Sequence, residues 1–336
     1  MNFAGVLIPR LFRLLVAATL LAASLPAGAA TEGEHQPRKE RAYRIGFHFW
    51  KPGKIYDEAM SGIEDGLKIA NVGYERTVIY SNQNEDLAEK NLKMLDAVGL
   101  DVIYSLSSAG TQVAKKIGMN TPVIATVINH PASLNISDAR AGNDVKLSGT
   151  SYYIDVKEQL ELYRELFPGA RKIGMIYDSK NPAGYLAEEP FLRKACATAG
   201  IDFVSAGVDN ASDLPQATRR LLEGGATMIV IPTNNLIYDN LSPVLEIATH
   251  SQVPVVSMSK QGVENGALAA LYADTYDLGR QAAELAARIL RGEVDPREAG
   301  FQYARRADII INLTSAKALQ YQFPPHVLGK AAIVIR

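Results

Sequence analysis

The residues best placed to do chemistry lie in the stretch DVIYSLSSAGTQVA, residues 101–114. Val102-Ile103-Tyr104 reads as a short buried strand, Ser105 to Ser108 as a small polar turn, and Gly110 onward as a helix. A helix that opens on small hydroxyl residues presents unpaired backbone N–H groups and the positive end of its dipole, which favour a carboxylate or another anion. Ser107 or Ser108 can equally do no more than cap the helix. Leu106-Ser107-Ser108-Ala109-Gly110 also approaches the G-x-S-x-G nucleophile elbow, but Leu106 stands where a glycine must relieve crowding. A secreted serine hydrolase would need His250 or His326 as its base, and no acid signal accompanies either.

Other chemistry is missing from the sequence. It has no G-x-x-x-x-G-K-[ST] and no G-x-G-x-x-G after a strand, and its five histidines (His35, His48, His130, His250, His326) lack zinc spacing. The one cysteine, Cys196, permits neither an intramolecular disulfide nor a CxxC site and reads as a buried structural thiol. Lys+Arg (35) and Asp+Glu (36) nearly cancel, so no net field calls for nucleic acid. No cofactor, no metal and no enzymatic activity are expected, and a monomer is the expected state.

The elements that must position the turn repeat along the chain. Strands at 43–49, 77–80, 102–104 and 123–127 alternate with helices near 55–70, 86–97 and 110–115. Such alternation is the mark of a parallel sheet covered on both faces. Near Gly149 the pattern restarts: strand 147–153, helix 156–167, strand 172–177, helix 190–199, strand 203–208, helix 213–223 capped by Ser212, and strand 228–231. Arg44-Ile45-Gly46 is echoed by Lys172-Ile173-Gly174, and Thr121-Pro122-Val123 by Val253-Pro254-Val255. The expected fold is α/β, with two similar Rossmann-like lobes built on parallel sheets. Later elements (strand 267–272, helix 276–290, strands 302–304 and 308–312, helix 314–319) pass back and forth between lobes and make a multi-crossing hinge. The expected boundaries are 43–148 plus about 275–300 for the N-terminal lobe, and 149–274 plus about 305–336 for the C-terminal lobe.

Ahead of these, Arg10 and Arg13 precede an apolar run from Leu14 to Leu25 and the small residues Ala27-Gly28-Ala29-Ala30. This is the pattern of a secretory signal peptide (1–30), cleaved near Ala29 or Ala30, and the polar segment 31–42 reads as a flexible leader. No cysteine lies near that site, so lipid attachment is excluded and export to the periplasm is expected.

In open α/β sheets a ligand binds beyond the carboxyl ends of the strands. Collecting those ends gives a candidate binding set of Trp50, Ser107, Ser108, Ala109, Asn129, Tyr152, Tyr177, Thr233, Asn234 and Asp274. Hydroxyls, amides and aromatics dominate, a lining for a small polar ligand rather than for acid–base work. Asp274 could pair with a ligand amine or cap the helix near Tyr276; Trp50 could be a ligand platform or a hinge-packing aromatic.

The chain carries, in order, Ser107-Ser108-Ala109-Gly110-Thr111, Leu166-Phe167-Pro168-Gly169-Ala170-Arg171-Lys172-Ile173-Gly174, Asn181-Pro182, Tyr276-Asp277-Leu278-Gly279-Arg280-Gln281-Ala282-Ala283 and Ile289-Leu290-Arg291-Gly292. In these residues it resembles the type I periplasmic substrate-binding proteins of ABC importers, and most of all the branch with tryptophan- and tyrosine-type binding components. The resemblance implies two lobes that close on a ligand and deliver it to the transmembrane subunits of an ABC permease. It also implies that Ser107 to Gly110 helps hold the ligand's anionic end. An amino acid or related zwitterion, aromatic ones included, is the expected ligand. A periplasmic sensing subunit for a membrane receptor kinase or cyclase would share fold and ligand. The turn 129–135 departs from the family pattern, which has an acidic residue and a proline followed by a glycine-rich segment.

Overall fold

The computed structural model describes residues 42–136 and 145–336; the expected signal peptide and all but the last residue of the leader lie outside the described residues. In chain order the elements begin β1 (Tyr43–Phe49), α1 (Lys54–Ile69), β2 (Tyr74–Tyr80), α2 (Glu85–Ala97), β3 (Val102–Leu106), α3 (Ser108–Ile117), β4 (Val123–Ile128) and β5 (Leu147–Ser151). They continue with α4 (Val156–Leu166), β6 (Lys172–Asp178), α5 (Pro182–Thr198), β7 (Asp202–Val208), α6 (Leu214–Glu223), β8 (Met228–Ile231), α7 (Asn235–Tyr238) and α8 (Ser242–His250). The last are β9 (Val255–Ser257), α9 (Lys260–Glu264), β10 (Ala269–Tyr272), α10 (Thr275–Leu290), β11 (Phe301–Tyr303), β12 (Asp308–Asn312), α11 (Leu313–Ala318), α12 (Pro325–Lys330) and β13 (Ala331–Ile335).

Two parallel sheets with matching strand order carry the two lobes. The first runs β11-β5-β4-β3-β1-β2 and the second β7-β6-β8-β9. In each, the opening strand lies between its second and third, so the order reverses between β1 and β3 and between β6 and β8. That reversal opens a crevice at the carboxyl ends of those strands. A third sheet, β10-β12-β13, mixes an antiparallel and a parallel pair.

Apolar spacing explains the helices. In α1, Tyr56, Ala59, Ile63 and Leu67 recur every three or four residues and are all buried. They meet α10 where both helices carry glycine. A Cβ added at Gly62 would lie 2.0 Å from the Tyr276 carbonyl, and one at Gly279 would lie 2.1 Å from the Ala59 carbonyl. Helix α10 thus seats on the first lobe although it follows the second in sequence.

Several sequence expectations need correction. β5 pairs with β4 and β11 through Ser151, so the strand read as a restart near Gly149 belongs to the first sheet. β2 begins at Tyr74, not at 77; Glu75 and Arg76 suit an exposed edge strand, and their polarity hid it. α5 begins at Pro182 and carries Pro190 inside, where a helix start was expected. Pro190 is exposed, and so is Leu186, whose carbonyl loses a donor there, so water can take its place. Asn210, not Ser212, caps the turn leading into α6.

The chain passes between lobes at the ends of β5, β10 and β11. Ile154, Ala273 and Leu278 form a small apolar cluster there, with Tyr152, Leu271, Ala304 and Ala307 against it. These crossings make the hinge.

Candidate ligand-binding cleft

The carboxyl ends of the strands supply the cleft from both lobes. In β4 the register shifts between Ala125 and Ile128, and Val127 sits at φ 57°, a left-handed conformation that a β-branched side chain adopts only under constraint. This bulge comes two residues before Asn129 and redirects the chain there. Asn129 is 7% exposed, its carbonyl accepts from the Ser151 hydroxyl, and its Nδ2 donates to Glu188 Oε1 at 2.9 Å. Glu188 lies on α5 of the second lobe, so this bond joins the lobes.

From the second lobe, the Thr233 N–H donates to Glu188 Oε2 at 2.8 Å. Glu188 is only 3% exposed. Burial holds its carboxyl above the usual range, against the opposing hydrogen bonds from Thr233 and Asn129. Around this carboxylate, Asn129, Tyr152, Tyr153, Ile154, Val156, Gln159, Thr233 and Met258 enclose a cavity of about 10 Å³. Burial also raises the Tyr152 and Tyr153 phenols, so both stay protonated as donors.

An aromatic group flanks the cavity. His130 stands edge-on to Tyr153 at 4.4 Å between centroids and faces Phe191 of α5 at 5.5 Å, with Tyr303 at 6.0 Å. His130 Nδ1 accepts the Ala132 N–H, which leaves Nε2 to face the Tyr303 hydroxyl. A second interlobe tie joins Glu58 of α1 to Lys260 of α9 at 3.7 Å, and Glu58 also accepts from Thr275.

Sequence comparison fits this architecture. The profile of the ABC transporter substrate-binding protein family matches residues 52–335. The chain belongs to that family. Among curated relatives, a tyrosine-binding protein of Clostridioides difficile is 29% identical over 222 residues. That match covers 66% of this chain and 64% of the relative's length. Among solved structures, one in complex with L-Trp from Streptococcus pneumonia has a TM-score of 0.74 at 22% identity, covering 88% of this chain and 100% of that one. The ligand-free, open structure of a substrate-binding protein with adhesive properties from Clostridium difficile has a TM-score of 0.76 at 22% identity, covering 87% of this chain and 99% of that one. The fold is that of a type I periplasmic binding protein.

In this substrate-binding protein the ten sequence candidates divide. Asn129, Tyr152 and Thr233 meet at the cavity. Asn234 lies beside it, capping α7 through Oδ1 and donating to Asp178 across the β6–β8 crevice. Ser107 caps α3, accepting the Gly110 N–H at 3.0 Å, while Ser108 and Ala109 open the helix half-buried; none of the three lines the cavity. Asp274 caps α10 by accepting from Asp277, so the capping role applies. Trp50 packs half-buried against the apolar cluster under α2 and α3. Tyr177 stacks on Tyr185 of α5 at 4.2 Å between ring centroids and is not among the residues lining the cavity.

Sequence reading missed Glu188, Gln159 and the ring of Phe191. Glu188-Glu189 was visible as a pair of acids, but they fell before the expected helix start at Pro190 and had no face. Glu188 adds a buried carboxylate to the hydroxyls, amides and aromatics expected at the cleft. As for a serine hydrolase, His326 pairs with Glu165 and His250 lies in the last turn of α8. The histidine beside the start of α3 is His48, whose Nε2 is hydrogen-bonded to Ser81 at 2.8 Å.

Proposed function

We propose that this protein is the solute-binding component of an ABC importer and captures an amino acid or related zwitterion in its interlobe cleft. Aromatic amino acids are the leading class. One observation carries the reading: at the hinge, polar donors from both lobes (Asn129 Nδ2 and the Thr233 N–H) converge on one buried point flanked by aromatic rings. A ligand that bridges such donors stabilises closure because it binds the closed form better than the open one. The relative named for tyrosine binding supports the ligand class. Export to the periplasm, removal of residues 1–30 and delivery to permease subunits complete the reading. No helix among the described residues is long and apolar enough to cross a membrane.

Mass spectrometry of small molecules released from the purified protein tests this. An amino acid in the released fraction, which also raises the melting temperature when added back, supports it. Failure of every amino acid to shift melting at millimolar concentration contradicts it.

A further inference from the structure

Glu188 behaves unlike its neighbour. Glu189 is 2% exposed, but Arg193 and Ser205 hold it within its own lobe. Glu188 meets only neutral donors, and no ion pair to it is found among the described residues. A buried carboxylate so paired keeps a desolvation cost that its hydrogen bonds offset only in part. Its two oxygens nevertheless take one donor from each lobe, and the cavity of about 10 Å³ left beside it holds about one water at most. The side chain occupies the point where these two donors converge.

Resting on the cleft as the ligand site, we propose that Glu188 is a built-in competitor for the ligand's carboxylate. Its side chain holds Asn129 and Thr233 and draws the lobes together by itself. An incoming carboxylate takes the same two donors and releases Glu188 to water, where its charge is better solvated. The ligand class is therefore small carboxylates that reach both donors, and the closed state without ligand reduces apparent affinity by the fraction of molecules it holds. No bond is made or broken.

Small-angle X-ray scattering on protein stripped of ligand reads the first half of the claim without any ligand. Glu188→Ala and Asn129→Ala should each give a larger radius of gyration than the unaltered protein. Glu188→Gln, which keeps one acceptor oxygen and the side-chain volume, should fall between and guards against misfolding. Calorimetric titration with L-tyrosine and L-tryptophan reads the second half. E188A should bind the better of the two about tenfold more tightly, as expected when a competitor occupying nine-tenths of the molecules is removed. An unchanged radius of gyration in folded E188A, E188Q and N129A overturns the proposal. So does E188A binding tenfold more weakly, which would make Glu188 a partner of the ligand's amine. If neither amino acid binds any variant, the proposed ligand class fails, while the scattering result still decides whether Glu188 closes the cleft.

Discussion

Two residues at the first-lobe crevice show how closely the turn after β3 is built. Ser107 holds φ 148° and ψ 156°, a region suited to glycine that costs a residue with a side chain about 1–3 kcal/mol. The strain is retained where Ser107 must cap α3. Gly110 lies against the His48 ring: an added Cβ would stand 2.9 Å from Cε1 and 3.0 Å from Nδ1. Gly110→Ala should therefore destabilise the protein by about 1–3 kcal/mol in denaturant unfolding; an unchanged midpoint would refute the contact. His48 also sets a pH dependence. Burial lowers its imidazole from 6.5 to about 4. The unfolded chain then binds an extra proton between those values, so stability falls as pH drops from 6.5 to 4, by at most roughly 3 kcal/mol. Above 6.5 both states are neutral at this ring and the term vanishes. Glu188, raised by burial, slopes the other way as pH rises through its own range. The test is thus the difference: His48→Asn should lose less stability than the unaltered protein between pH 6.5 and 4, and matching slopes would contradict the assignment.

At the scale of elements, α1 and α10 cross at a distance set by glycine. Gly279→Ala would drive a Cβ into the Ala59 carbonyl and should cost about 3 kcal/mol, because backbone cannot move as a side chain can. Gly73→Ala is the control. Nothing lies within 4 Å of its added Cβ, and its change should stay within about 0.5 kcal/mol. If both variants unfold at the same denaturant concentration, the crossing does not depend on glycine. These elements also show what was legible in the sequence. Periodicity located α1, α4, α6 and α10, and short apolar runs located the central strands, because burial on both faces forces such runs. The edge strand β2 and the proline-bearing α5 escaped, since local composition argues against both and tertiary packing overrides it. For the same reason Asn129 was found as a strand end while Glu188 was not. The bulge at Val127 that precedes Asn129 has no compositional mark at all.

At the scale of the molecule, two lobes of the same strand order face each other across donors that neither lobe brings together alone. Hinge segments at the ends of β5, β10 and β11 connect them, and Ile154, Ala273 and Leu278 form an apolar cluster at these crossings. Two ties join the lobes, Glu188–Asn129 and Lys260–Glu58; Ile154 of the hinge cluster also lines the cavity beside the first. Lys260–Glu58 is partly exposed, and exposed pairs contribute about 0–1 kcal/mol. Lys260→Ala should therefore leave amino-acid affinity within about threefold of the unaltered value by calorimetry. A loss beyond tenfold would give that tie a larger part in closure. Solute binding in the cleft is the function proposed for the two lobes together. Its most direct measurement is calorimetric titration of protein stripped of ligand by unfolding and refolding, with L-tyrosine, L-tryptophan and then the remaining amino acids. One-to-one saturable binding by at least one of them, with a negative heat-capacity change from apolar burial, is the predicted result. No saturable heat from any amino acid at millimolar concentration would contradict it.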